Sequence, residues 1–215
     1  MNKTLYLLLS VAVYVLLSYT PGIKIITFPI EMLCTFLHEF GHAFFGIISG
    51  GSVNSLCVNP DGSGVTTISG GNGPLLTMGG YVGSAVFGNV MIRMGSESRA
   101  SISLKVLAAL MLISSIIWFD NMTTSFILAM FSMGLLAVSY WGSKICPFII
   151  SFLGVASVVY IVQDFNVGPT SDLQSYESEV GFFPAAVWMY IWLAIVIVIT
   201  GINLLSLLKI KQTNN

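Results

Sequence analysis

Two histidines and a glutamate lie within five consecutive residues, His38-Glu39-Phe40-Gly41-His42, and form an H-E-x-x-H pattern. On an α-helix, positions i and i+4 share one face, so both imidazoles can reach a single metal ion. Glu39 lies on an adjacent face, where it can accept a proton from a water molecule beside that ion. His38 and His42 are the only histidines in the sequence. The pattern therefore predicts a zinc (Zn2+) site with Glu39 as its general base.

The rest of the chain has the composition of a membrane protein. Of its 215 residues, 55% are hydrophobic and only 8% are charged, and the mean hydropathy is +0.90. A soluble domain carries about 25% charged residues. Because apolar segments in lipid satisfy their backbone polar groups as helices, we expect an all-α, multi-pass protein integral to the lipid bilayer. A net charge of -1 without a basic patch argues against nucleic acid as a partner.

The hydropathy pattern predicts six to seven membrane-spanning helices, since about 20 apolar residues cross the hydrocarbon core. The count depends on whether the polar turn WFDNM separates two helices. We interpret the first segment as a retained helix and not as a signal peptide. The seven segments are Leu5–Tyr19, Thr27–Ser49, Pro74–Met91, Leu104–Phe119, Met122–Tyr140, Ile145–Val162 and Ala185–Leu208.

Two loops stand out in what we predict to be a single domain over residues 1–215, with its core at 27–192. Residues 50–73 place the turn residues NPDGSG between two short β-prone runs. This order is typical of a β-hairpin, which we expect at the membrane edge. Residues 163–184 hold four of the nine acidic residues and form an acidic loop.

Positive charge predicts the orientation in the membrane. With seven spans, seven basic residues fall on one side and Lys3 alone falls on the other. The seven are Lys24, Arg93, Arg99, Lys105, Lys144, Lys209 and Lys211. The positive-inside rule then places the C-terminus in the cytoplasm and the hairpin and acidic loop on the opposite side, in a plasma or inner membrane.

A catalytic zinc ion has three protein ligands, so the third ligand here should be a carboxylate. The candidates are Glu31, Asp61, Asp120, Asp164, Asp172, Glu177 and Glu179. His42 lies in the half of its segment that points toward the hairpin, so the ligand should come from that side. Asp164 follows the sixth segment on that side, and Asp172 stands at a predicted helix start in TSDLQSY. Either residue could supply the ligand.

Several motifs together resemble the site-2-protease-like, membrane-embedded zinc metallopeptidase family, and most closely its short bacterial and plant members. The matching segments are LHEFGHAFFGIISGG, PDGSGVT, GGYVGSAVFGN and VYIVQDFNVGPTSDLQ, and the similarity covers most of residues 28–192. The resemblance implies intramembrane proteolysis of a membrane protein substrate. It also implies His38 and His42 as zinc ligands and Glu39 as the base. Asp172 is the first choice for the third ligand, and Asp164 is the second.

The chain departs from the better-known site-2 proteases in two respects. Those enzymes carry their aspartate in NPDG or LDG on a later helix, whereas NPDG here covers residues 59–62, within the predicted hairpin. We therefore interpret Asp61 as a turn residue. Those enzymes also place zinc toward the cytoplasm, which is opposite to the orientation that the basic residues predict.

The segment GGYVGSAVFGN has small residues at four-residue spacing, including Gly79 and Gly83. This spacing is typical of close helix packing, and it would also leave room for a substrate beside Gly83. Asn89 could hydrogen-bond a substrate backbone or a neighbouring helix. The hairpin edge could pair with an unwound substrate strand.

Two other classes of function compete with a zinc endopeptidase. One is a catalytically silent membrane protein that uses the same fold for binding or as a chaperone. The other is an ion or metal transporter, although the sparse charge within the other spans argues against it. The sequence leaves the oligomeric state open.

Overall fold

The computed structural model describes residues 3–20, 24–95, 99–142 and 144–213. They form eight helices and a two-stranded sheet. In chain order these are α1 (Lys3–Tyr19), α2 (Lys24–Ile48), β1 (Ser52–Val58), β2 (Gly64–Ser69), α3 (Gly73–Gly95), α4 (Ala100–Ile117), α5 (Met122–Trp141), α6 (Cys146–Phe165), α7 (Ser171–Val180) and α8 (Ala185–Thr213). The predicted helical fold with one hairpin is confirmed. The single-domain boundaries stay a prediction, and their outermost residues (1, 2, 214 and 215) lie outside the described ranges.

Each of the seven predicted segments is a helix in the structure. By length and composition, five of the described helices could cross a membrane: α3, α4, α5, α6 and residues Ala185–Leu207 of α8. Residues Leu5–Ser18 of α1 form a shorter apolar helix. Helix α2 has 25 residues and carries the H-E-x-x-H pattern. The short helix α7 lies in the predicted acidic loop.

The hairpin after α2 is antiparallel and folds at the predicted turn. Its register pairs Leu56 with Thr66 and Cys57 with Val65. Gly62 adopts φ +89° at the turn, a conformation that glycine reaches without steric cost. Alternate residues of β2 face α2, while those between them are exposed. The hairpin therefore lies along α2 and presents one face to the H-E-x-x-H pattern.

Helix α3 packs closely against both α2 and α6 because small residues form the contacts. A Cβ atom at Gly83 would lie 2.9 Å from the Cα of Gly41, and one at Gly88 would lie 2.9 Å from the carbonyl oxygen of Gly154. The packing interpretation of the small-residue spacing is therefore what the structure shows. A substrate contact at Gly83 stays a prediction.

A buried polar cluster joins α3 to α8. The side-chain amide of Asn89 donates to Thr200 Oγ1 at 2.9 Å, and Asn203 Nδ2 donates to Asn89 Oδ1 at 3.0 Å. Asn89 is only 5% exposed, and these bonds satisfy polar groups that would be costly to leave unpaired inside a membrane protein. The structure thus places Asn89 in a contact between helices, and its role in substrate binding stays a prediction.

Candidate metal centre

The two histidines of α2 lie side by side, as one turn of helix requires. The Nε2 atoms of His38 and His42 are 3.0 Å apart. His42 Nδ1 lies 2.7 Å from the carbonyl oxygen of Leu76 on α3. Since a carbonyl can only accept, Nδ1 carries a proton, so the neutral form of the ring that can bind a metal has its lone pair on Nε2. The contact therefore prepares the His42 Nε2 atom as a metal ligand.

Helix α7 brings Asp172 to these histidines, although Asp172 follows His38 by 134 residues along the chain. Asp172 Oδ2 lies 2.9 Å from His38 Nε2 and 3.2 Å from His42 Nε2. Asp172 stands in the first turn of α7, where a carboxylate is favoured by the helix dipole. The next residue, Leu173, is fully buried and fixes this turn against the core. Gly181 ends the helix with φ +69°.

The charge state of Asp172 suits a ligand. Burial opposes ionisation of its carboxyl group, but hydrogen bonds from His38 and His42, together with the positive charge that these rings carry when protonated, outweigh burial. They hold the pKa of Asp172 below its usual value. The carboxylate is therefore ionised at neutral pH, as metal binding requires.

Three atoms of this group have the spacing that zinc needs. His38 Nε2, His42 Nε2 and Asp172 Oδ2 lie within 4.8 Å of one another. Among the described residues, these three side chains form a cluster that could hold a metal ion. A tetrahedral zinc ion with bonds of about 2.0–2.1 Å separates its ligand atoms by about 3.3 Å. The observed separations, 2.9 to 3.2 Å, are close to this value, so the residues fit zinc.

Gly80 of α3 makes room for the imidazoles, and we did not identify it from the sequence. A Cβ atom at Gly80 would lie 2.5 Å from the Nε2 atoms of both His38 and His42. The adjacent glycine, Gly79, packs instead on Phe45 and the backbone of α2. The two consecutive glycines before Tyr81 were the signal in the sequence that could have indicated Gly80. The spacing of small residues in this segment, however, indicates helix packing and not contact with the histidines.

We expect Gly80→Ala to weaken zinc binding at least tenfold, because the added methyl group would displace both ligand atoms and His42 is held by Leu76. Zinc per purified chain measures this effect. Gly134→Ala is the matched control, since among the described residues nothing lies within 4 Å of a Cβ at that helical glycine. Equal zinc contents in the two variants would show that the imidazoles can shift to accommodate the methyl group.

Glu39 is buried beside the histidines and contacts the hairpin. It is 5% exposed, and its Oε2 atom accepts a hydrogen bond from Thr66 Oγ1 at 2.7 Å. A Cβ atom at Gly64 would lie 2.6 Å from Glu39 Oε1. The carboxylate therefore contacts strand β2, and Glu39 lines the same cavity as His38 and Asp172.

Asp164 lies in the same region but has a different partner. The hydroxyl of Tyr81 donates to Asp164 Oδ2. The Tyr81 ring meets His38 edge-on, with ring centroids 4.5 Å apart. Of the two predicted ligands, the structure thus places Asp172 with the histidines and Asp164 with Tyr81.

The other carboxylates considered as ligands have hydrogen-bond partners outside the His–His–Asp group. Glu31 Oε1 accepts from Thr27, and Asp120 Oδ2 accepts from Asn121. Glu177 accepts from the backbone N–H at the start of α8, and Glu179 from Thr77 near the start of α3. Asp61 is exposed in the hairpin turn, where hydrogen bonds from Ser63 lower its pKa, as the turn interpretation predicts.

A polar cavity adjoins the metal-binding group. Its volume is about 280 Å³, and its walls come from α2, the hairpin turn, α3, α6 and the start of α7. The residues that line it include His38, Glu39, Tyr81, Asp164, Thr170 and Asp172. The cavity therefore leaves open space beside Glu39 and Asp172.

The fold and this site define a helical membrane protein with a His–His–Asp group that could hold a metal ion, next to a buried glutamate. The sequence model of the family described as Peptidase M50B-like matches residues 6–202. The chain therefore belongs to the Peptidase M50B-like family. Membership implies a membrane metallopeptidase-like function, and it confirms the resemblance noted from the motifs. No curated protein and no solved structure matches the chain.

Proposed function

We propose that this protein is a zinc-dependent endopeptidase that hydrolyses peptide bonds within or beside the membrane-spanning segments of other proteins. One observation carries the proposal. Three ligand atoms, on His38, His42 and Asp172, converge within 4.8 Å of one another, at a cavity that Glu39 also lines. Family membership supports the same class of activity.

His38, His42 and Asp172 would hold the zinc ion. When bound, zinc would polarise the scissile carbonyl and increase the acidity of water. Glu39 would accept a proton from the attacking water and deliver it to the nitrogen of the leaving amine. Burial of Glu39 suits this role, because the carboxylate keeps one position relative to the histidines and the cavity.

The substrate would bind as an extended strand along the free edge of the hairpin. The outer edge of β1 is already occupied, since Leu56 N–H donates to the Trp118 carbonyl and Val58 N–H donates to Thr124 Oγ1. The N–H groups of Leu56 and Val58 thus point away from β2. In an antiparallel pair, the residues directly opposite them on β2 also point their N–H and C=O groups away from the partner strand. These partners are Thr66 and Gly64. Their N–H and C=O groups therefore lie at the β2 edge, where the described residues provide no backbone partner.

This edge lies next to the proposed base, because the side chain of Thr66 contacts Glu39. Strand addition supplies main-chain hydrogen bonds without requiring a particular sequence. It also requires the substrate helix to unwind, which exposes amides that the helix otherwise shields. We therefore expect cleavage of substrate segments that unwind easily.

Metal removal tests the proposal. We expect purified protein, reconstituted with single-span peptides that carry helix-breaking residues, to produce new peptide termini detectable by mass spectrometry. A chelator should reduce cleavage at least 100-fold, and added zinc should restore it, because loss of zinc removes the Lewis acid. Protein that contains one zinc ion per chain but cleaves none of these peptides would favour the silent binding protein.

A further inference from the structure

The proposed base is held by a residue of the hairpin. Thr66 Oγ1 lies 2.7 Å from Oε2 of Glu39 and 3.0 Å from its backbone carbonyl oxygen. A hydroxyl has one proton to donate, and the carboxylate oxygen is the nearer of the two acceptors. The proton of Thr66 therefore goes to the carboxylate, and it fixes one of the two oxygens.

Gly64, two residues before Thr66 on the same face of strand β2, also lies against the Glu39 side chain. The Cβ that Gly64 lacks would lie 2.6 Å from both Cγ and Oε1 of Glu39. A residue with a side chain would thus displace the carboxylate. Gly64 and Thr66 both lie on the face of β2 that points toward α2, so together they bound the carboxylate on the β2 side.

The strand that makes these contacts is itself anchored. It pairs with β1, and the Leu56 N–H of β1 donates to the Trp118 carbonyl at 2.9 Å. Thr124 adds bonds to both the N–H and the C=O of Val58. Because two connected elements hold the hairpin, the position of Thr66 is fixed relative to α2.

We propose that Thr66 is a positioning residue for Glu39. Its hydroxyl holds Oε2 and directs the carboxylate into the cavity, so that the remaining oxygen can accept a proton from water. This inference rests on the proposed function for its catalytic consequence, while the contact itself can be measured independently. Loss of the hydroxyl leaves the carboxylate free to rotate, and a displacement of about 1 Å can reduce a rate about 100-fold.

Thr66→Val tests the inference, because valine keeps the shape of threonine and removes the donor. We expect kcat to fall about 10- to 100-fold, while KM and zinc per chain stay within about twofold of wild type. Thr66→Ser, which keeps the hydroxyl, should retain kcat within about threefold. Thr67→Val is the matched control, since Thr67 follows on the same strand with its side chain exposed. A Thr66→Val enzyme as active as the control would overturn the proposal.

An infrared measurement separates this inference from the proposed function. The carboxylate stretching band of Glu39 can be assigned by its absence in Glu39→Gln. We expect it to shift in Thr66→Val and not in Thr67→Val, because a hydrogen bond changes the carboxylate stretch. An unshifted band would sink the positioning role whatever the activity. A shifted band in a zinc-loaded protein without peptidase activity would sink the proposed function and leave Thr66 as the partner of Glu39.

Discussion

Asp172→Asn is expected to reduce zinc affinity more than 100-fold, to the point where the purified protein no longer contains one zinc ion per chain. The substitution keeps the shape of the side chain and removes the negative charge that lies 2.9 Å from His38 Nε2 and 3.2 Å from His42 Nε2. Loss of residues that only orient ligands already costs about 10- to 100-fold. Removal of a ligand should cost more, because two histidines alone remain.

Elemental analysis of detergent-purified protein, with a competing chelator to determine affinity, measures this effect. Asp164→Asn is the matched control, since Asp164 accepts from Tyr81 and an amide oxygen can accept the same bond. We expect this variant to keep zinc affinity within about threefold of wild type, and His38→Ala to lose zinc. If Asp164→Asn lost zinc while Asp172→Asn kept it, the third ligand would be Asp164.

Glu39→Gln is expected to reduce kcat about 100- to 10,000-fold without loss of zinc. General base catalysis contributes an acceleration of this size, and an amide cannot accept the proton. The Gln carbonyl oxygen can still accept from Thr66, which lies 2.7 Å from Oε2 in the structure, so the side chain should keep its position. Cleavage of reconstituted single-span peptides, together with zinc per chain, measures both properties on one preparation.

The paired measurements make the Glu39 prediction selective. A variant that lost both activity and zinc would indicate that the carboxylate supports the metal site itself. A variant that kept full activity would contradict the proposed base. Retained activity with unchanged zinc would also remove the main argument for hydrolysis at this cavity.

Helical periodicity explains why the histidines and Glu39 could be identified before the fold was known. A four-residue spacing places His38 and His42 on one face of any helix, and the structure puts their Nε2 atoms 3.0 Å apart. The hairpin was predictable for a similar reason, since the turn around Gly62 depends on local backbone conformation. Hydropathy placed the helices, because lipid allows few other structures to span it.

Local patterns left the roles of several residues open. Asn89 fitted a substrate contact and a helix contact equally well, and its hydrogen bonds to α8 depend on which helices pack together. The orientation in the membrane depends on how many basic residues lie on each side of the bilayer. The cytoplasmic placement of the C-terminus therefore stays a prediction.

The partners that come from distant segments required the folded chain. Asp172 and Asp164 both fall in the loop predicted at residues 163–184, and nothing in their spacing distinguishes them. Burial of Leu173 fixes the first turn of α7 and brings Asp172 to His38. Gly80 and Thr66 act through the close approach of α3 and β2 to α2. Such contacts arise from the packing of whole elements, which the periodicity of any one segment does not encode.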